Sequence, residues 1–162
     1  MKTVSSVFVL LLLPMIAAAQ TAVSVETGPF ILAGESDIAA TMQVGIRVGA
    51  VRPQVPHVDF TFATLPEGVA NGAFVGISDL DVGYDLRVAR GLSVALRGGG
   101  SWMVAVGGGA AGFALGYNAG AGVVGQWGQR AGVRLDFTYR RIGIDGESYP
   151  LSSLTLGIIV AR

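Results

Sequence analysis

From Asp79 to Val88 the chain alternates without a break: Leu80, Val82, Tyr84, Leu86 and Val88 on one parity, Asp79, Asp81, Gly83, Asp85 and Arg87 on the other. Successive side chains of a strand point to opposite faces, so a strand sorts this segment into an apolar face and a charged one. A helix would scatter the same charges around its circumference. The segment is a strand.

The same sorting recurs along the chain. Met42, Val44, Ile46, Val48 and Ala50 oppose Gln43, Gly45, Arg47 and Gly49; Val58, Phe60 and Phe62 oppose His57, Asp59 and Thr61. Leu92, Val94 and Leu96 oppose Ser93, Ala95 and Arg97, while Val133, Leu135, Phe137 and Tyr139 oppose Arg134, Asp136, Thr138 and Arg140. Leu154, Leu156, Ile158 and Val160 alternate with Ser153, Thr155 and Gly157. Asn118–Trp127 and Ala22–Leu32 have strand composition, the latter interrupted by Gly28-Pro29. Proline suits a strand start or bulge better than a ladder interior.

Between these strands, Arg52-Pro53-Gln54, Ala89-Arg90-Gly91 and Gly128-Gln129-Arg130 read as tight turns. Segments 33–40, 65–76, 105–116 and 143–150 read as longer loops. Long and short connections then alternate, as in an up-and-down antiparallel barrel with turns on one rim and loops on the other. The expected fold is all-β: an eight-stranded antiparallel up-and-down transmembrane barrel occupying residues 20–162.

The first nineteen residues read as a cleaved signal peptide: Lys2, an apolar run from Val7 to Ile16, and Ala17-Ala18-Ala19 before Gln20. That run is short of the ~20 residues a spanning helix needs, and nothing later comes closer. Charged residues make up only 14%, against about 25% in an ordinary globular domain, and mean hydropathy is +0.59. A hydrophobic chain without a spanning helix crosses a bilayer with strands. The chain has no cysteine, which excludes a disulfide scaffold, a thiol nucleophile and a lipid-modified cysteine anchor. No block of basic residues supports nucleic-acid binding.

Two closed barrels fit this pattern: a soluble lipocalin-like binder with apolar residues inside, or a membrane barrel with them outside. The polar face carries Glu26, Asp59, Asp81, Asp85 and Asp136 against Arg47, Arg87, Arg97, Arg134 and Arg140, five acids and five arginines. Its remainder is largely Gly, Ala, Ser and Thr. Lys2 is the sole lysine, so every cation after the leader is arginine, the better partner for packed, bidentate carboxylate pairs. Small residues and arginine pairs suit a crowded lumen. The apolar face then meets lipid, with Phe62, Tyr84, Trp102, Tyr117, Trp127 and Tyr139 as candidate interfacial girdle residues. These ten charged residues are the candidate site: a structural network filling the lumen.

The chain resembles the small outer-membrane β-barrel superfamily, the outer membrane protein A/X-like group. The resemblance lies in Ala17-Ala18-Ala19 before Gln20, the alternating strands, and the run Tyr117-Asn118-Ala119-Gly120-Ala121-Gly122 leading through Gln126-Trp127-Gly128-Gln129-Arg130 into Leu135-Asp136-Phe137-Thr138-Tyr139-Arg140. It implies an outer-membrane location, outer-membrane lipid as surroundings, the barrel assembly machinery as a partner during biogenesis, and surface ligands reached through the long loops. Barrels of this group end on an aromatic residue; here the last strand runs from Leu154 to Arg162.

Enzymatic chemistry finds little footing. The one histidine, His57, follows a short turn and reads as a partly exposed structural residue, and Ser101 falls toward the opposite rim, so no Ser–His pair forms. Asp79, Asp81 and Asp85 form a carboxylate row, and Glu35, Asp37, Asp145 and Glu147 lie in predicted loops; ion pairing and solvation account for them without a metal. Gly98–Gly100 and Gly107–Gly109 lack the Lys-Ser/Thr and helix start of a phosphate loop. No cofactor is expected. A side-chain-filled structural barrel is the first reading; the alternatives are a narrow channel or hydrophobic-ligand conduit, and a soluble periplasmic lipocalin-like barrel.

Overall fold

Eight antiparallel strands pair in sequence order and close, β8 hydrogen-bonding back to β1, in a computed structural model that describes residues 21–33, 38–50, 54–70, 72–128, 130–144 and 146–161. The signal-peptide reading of residues 1–19 lies outside these residues. The strands are β1 (Thr21–Ala33), β2 (Ile38–Ala50), β3 (Pro56–Thr64), β4 (Ala73–Ala89), β5 (Leu92–Gly107), β6 (Ala110–Trp127), β7 (Ala131–Ile144) and β8 (Glu147–Ala161). One short helix, α1 (Pro66–Ala70), lies between β3 and β4 and is held to β2 where the Thr41 hydroxyl donates to Glu67 Oε2 at 2.7 Å. Closure leaves no unpaired sheet edge, the condition for placing a β-sheet in hydrocarbon.

The loops expected at 105–116 and 143–150 are instead continuous hairpins. β5 and β6 stay in register out to Gly107 and Ala110, and β7 and β8 out to Ile144 and Glu147. Gly108, Gly109 and Gly146 supply the positive φ of the reversals, +60°, +81° and +87°. Most of segment 65–76 is likewise accounted for by α1 and the start of β4. Runs such as Ala110-Ala111-Gly112 lack the large apolar side chains that make alternation visible, yet their backbones pair as well as any. The topology therefore matches the expectation while the long-short rhythm behind it does not.

Pro29 sits inside β1 rather than at its start. It is in register with Met42 on β2, while the β1–β8 ladder passes from Thr27↔Leu156 to Phe30↔Ser153 with Gly28 and Pro29 unpaired. The missing N–H thus falls on one local gap. Gly28 is needed there, because a Cβ would collide with the carbonyl oxygen of Leu154.

The faces are sorted as expected. Leu80, Val82, Leu86, Leu135, Phe137, Leu154, Leu156, Ile158 and Val160 all lie exposed on the outer wall, while the alternate positions are buried within. Trp127 and Tyr117 are both exposed on β6, ten residues apart. At about 3.3 Å per residue and a strand tilt of about 40°, they bracket an apolar band about 25 Å tall, the height of a bilayer-spanning barrel. Tyr139 and Phe62 are also exposed, whereas Tyr84 and Trp102 are half-buried, Trp102 against Phe60 with ring centroids 5.9 Å apart.

Candidate functional site

Inward positions of all eight strands meet along the axis in three layers. The middle layer holds the charges. Arg47 grips Glu26 with two parallel bonds, Nε–Oε1 at 2.7 Å and Nη2–Oε2 at 3.1 Å. Ser24 and Thr155 hydroxyls donate to the same carboxylate at 2.9 and 3.4 Å. Asp136, fully buried, takes Arg97 Nη1 on one oxygen at 2.8 Å and Arg134 Nε on the other at 2.5 Å, with Arg47 Nη2 at 3.9 Å. Arg97 Nε also lies 3.2 Å from Asp59, and Arg134 Nε 3.5 Å from Glu26. Glu26, Arg47, Asp59, Arg97, Arg134 and Asp136 therefore form one connected lattice, drawn from β1, β2, β3, β5 and β7.

A second cluster lies nearer the β5–β6 hairpin tip. Arg140 places Nη2 2.6 Å from Asp79 Oδ2 and Nε within 3.1 Å of both oxygens, while its Nη1 donates to Ser153 at 2.8 Å. Ser101 donates to Asp79 at 2.6 Å and receives Asn118 Nδ2 at 3.0 Å. Asp79 is thus a central lumen residue that the five-against-five pairing omitted. Its signal was present in the sequence, at the head of the carboxylate row on the inward parity of β4.

Arg87 requires the opposite correction. It shares that parity but lies at the rim, exposed to solvent, and joins none of the ion pairs among the described residues. Parity assigns a residue to a face and says nothing of its depth. His57 also departs from expectation: it is buried, 5% exposed, with Nδ1 3.2 Å from the Val55 carbonyl oxygen and Nε2 3.6 and 4.0 Å from Asp59 and Asp85. Ser101 is bonded within the Asp79 cluster.

Among the described residues the buried lumen contains six carboxylates, Glu26, Asp59, Asp79, Asp81, Asp85 and Asp136, against four arginines, Arg47, Arg97, Arg134 and Arg140. The surplus falls on Asp81 and Asp85, each with one buried oxygen, Oδ1, lacking a hydrogen-bond partner. Asp81 lies directly across from Asp59 in the β3–β4 register. These are the least compensated charges in the wall.

Glycine makes room for the lattice. Asp136 is in register with Gly122, His57 with Gly83, Asp81 with Gly99, and Glu26 with both Gly45 and Gly157. A Cβ at Gly122 would strike Asp136 Oδ1, and one at Gly157 would come within 2.9 Å of Glu26 Cγ and 3.1 Å of Arg134 Cγ. Part of the high glycine content therefore has a spatial cause: Glu26, His57, Asp81 and Asp136 each lie beside a register neighbour with no side chain.

Apolar layers cap the lattice at both ends. Phe30, Ile77, Ala114, Ile142 and Leu151 pack together on the loop side, with Leu65, Val75, Met103 and Ile144 against them. Ala22, Ala95, Val124, Ile159 and Ala161 form the layer on the turn side. Sequence reasoning missed both: Ile159 stands in the run Ile158-Ile159-Val160, where both faces are apolar, and Ile142 follows Arg140-Arg141, beyond the alternation from Val133 to Arg140. Small polar cavities among the described residues include one lined by Glu26, Gln43, Thr61 and Arg140 and one lined by Ser24, Arg47, Asp59 and Arg134, each about 10 Å³. That is room for about one water apiece. Among the described residues no group of histidines and carboxylates is arranged to hold a metal.

An apolar wall around a charged, close-packed axis defines the class: a transmembrane β-barrel of the smallest common size, inverted relative to a soluble barrel. Its fold is that of the small outer-membrane barrels. Neisserial surface protein A superposes with a TM-score of 0.70 at 15% identity, covering 89% of this chain and 98% of that one. The N-terminal barrel domain of OprF from Pseudomonas aeruginosa gives 0.58 at 12% identity, over 85% and 96% of the two chains. Ail, the attachment invasion locus protein of Yersinia pestis, gives 0.52 at 12%, over 86% and 97%. No protein-family model and no curated protein sequence matches the chain.

Proposed function

We propose that the protein resides in the outer membrane as a structural barrel, exported by cleavage after Ala19, whose lumen is a folding core rather than a passage. The observation that carries this reading is the filled lumen: among the described residues, interlocked arginine–carboxylate pairs lie between two apolar caps, and the two cavities beside Arg47 are about 10 Å³ each. Such a lattice holds strands from opposite sides of the wall together and leaves no aqueous path for solutes. Insertion would engage outer-membrane lipid and the barrel assembly machinery. A role in surface contact would fall to the loop-side rim, where α1 is the one connection among the described residues with structure of its own. An apolar exterior speaks against the lipocalin-like alternative, and the plugged axis against a channel.

Two measurements test this together. The membrane-extracted protein should migrate faster on a gel before boiling than after, the behaviour of a closed barrel resistant to detergent. In planar bilayers it should give no steady conductance; sustained single-channel steps would replace the structural reading with the channel one.

A further inference from the structure

The exposed ionised groups of this barrel are segregated by rim. On the turn side, where β1 begins and β8 ends, the exposed charges among the described residues are Arg87, Arg90 and Arg130, with no exposed acid beside them. On the loop side the exposed acids among the described residues are Glu67 and Glu147. Among the described residues Arg141 is the one exposed cation on the loop half, facing outward in register with Tyr117 and Pro150.

The three turn-side arginines stand at the barrel rim, Arg87 on the inward parity of β4 and Arg90 and Arg130 in the connections that follow β4 and β6. Arg87 and Arg90 flank exposed Val88, Leu92 follows them, and Arg130 lies three residues beyond exposed Trp127. Their backbones are fixed: Gln126 N donates to the Gly91 carbonyl at 2.7 Å, and Ala161 N donates to the Arg130 carbonyl at 2.9 Å. No ion pair among the described residues involves any of the three. Guanidinium groups at the border of an apolar band meet the phosphate layer of a leaflet, and arginine binds phosphate bidentately. With no carboxylate nearby to offset them, the rim attracts net negative charge.

We propose that the turn-side rim, through Arg87, Arg90 and Arg130, is a binding surface for anionic phospholipid headgroups. The inference rests on the membrane-barrel reading above. The full chain, purified in mixed micelles of equimolar phosphatidylglycerol and phosphatidylcholine and freed of excess lipid, should retain phosphatidylglycerol in about fivefold excess or more, as lipid extraction and mass spectrometry would read it. The triple variant R87Q/R90Q/R130Q should fall to near parity, and 0.5 M salt should do the same to the unaltered protein, since interfacial attraction of this kind is screened. E67Q/E147Q should keep the enrichment. Equal retention by the triple variant, no enrichment in the unaltered protein, or loss of enrichment through R141Q alone would each overturn the proposal. All variants are scored for heat-modifiable migration first. Failure of migration in the unaltered protein would count against the barrel reading itself; normal migration without lipid preference would count against this inference alone.

Discussion

Arg140 on β7 closes its guanidinium around the Asp79 carboxylate on β4, Nη2 to Oδ2 at 2.6 Å, although 61 residues of chain separate them. The two strands are not neighbours in the wall, so this bond runs through the lumen. It ties together parts of the barrel that the hydrogen-bonded ladder connects only through intervening strands.

Breaking that bond from one side should cost more than removing it whole. Asp79→Ala leaves Arg140 buried without its carboxylate, and a loss of about 3–5 kcal/mol is expected. Arg140→Ala should cost about as much. The double variant D79A/R140A should cost clearly less than the sum, and urea titration of the folded gel band gives the coupling directly.

The surplus carboxylates should behave differently. Asp81→Asn removes charge from a group whose Oδ1 has no partner and whose register neighbour is Asp59. Its stability should match or exceed that of the unaltered protein, whereas Asp79→Asn should be destabilising. A strongly destabilised Asp81→Asn would show that this carboxylate is better compensated than its contacts indicate. Arg87→Ala, at the rim, should fall within about 0.5 kcal/mol of the starting stability.

Glycines beneath the lattice should be intolerant of any side chain. Gly122→Val forces Asp136 off its two arginines, and overpacking of this kind costs at least about 1–3 kcal/mol. Gly112→Ala, where a Cβ meets nothing within 4 Å, should be close to neutral. Parallel denaturation of the two variants separates a demand for space from a general sensitivity of strand glycines.

The outer wall offers a test of which solvent it faces. Leu156 is exposed near the middle of the apolar band, in register with Leu135 and Thr27. Leu156→Arg should destabilise the barrel in lipid vesicles by about 2–4 kcal/mol, the cost of arginine near the bilayer midplane. A surface leucine of a water-soluble barrel would accept the same change with little effect.

Strand identity and the direction each strand faces were legible in the residues from Asp79 to Val88 and from Val133 to Arg140, because a period of two assigns every side chain to one side of a sheet. Depth was not legible. Arg87 and Asp79 share a parity, yet one lies at the rim and the other at the heart of the lumen. Nor were the apolar caps, since Ile142 shares the inward parity of Arg140 and Ile159 that of Thr155, and parity does not tell an apolar cap from the polar layer.

What the amino-acid order determined by itself was local: which residues extend, which side is greasy, and that the polar side carries both arginine and carboxylate. Only the closed barrel decided who meets whom. Partners such as Arg140 and Asp79, or Arg97 and Asp136, sit on different strands, and closure with its stagger sets the height at which each inward side chain reaches the axis. That height is a property of the whole wall, and no single strand contains it.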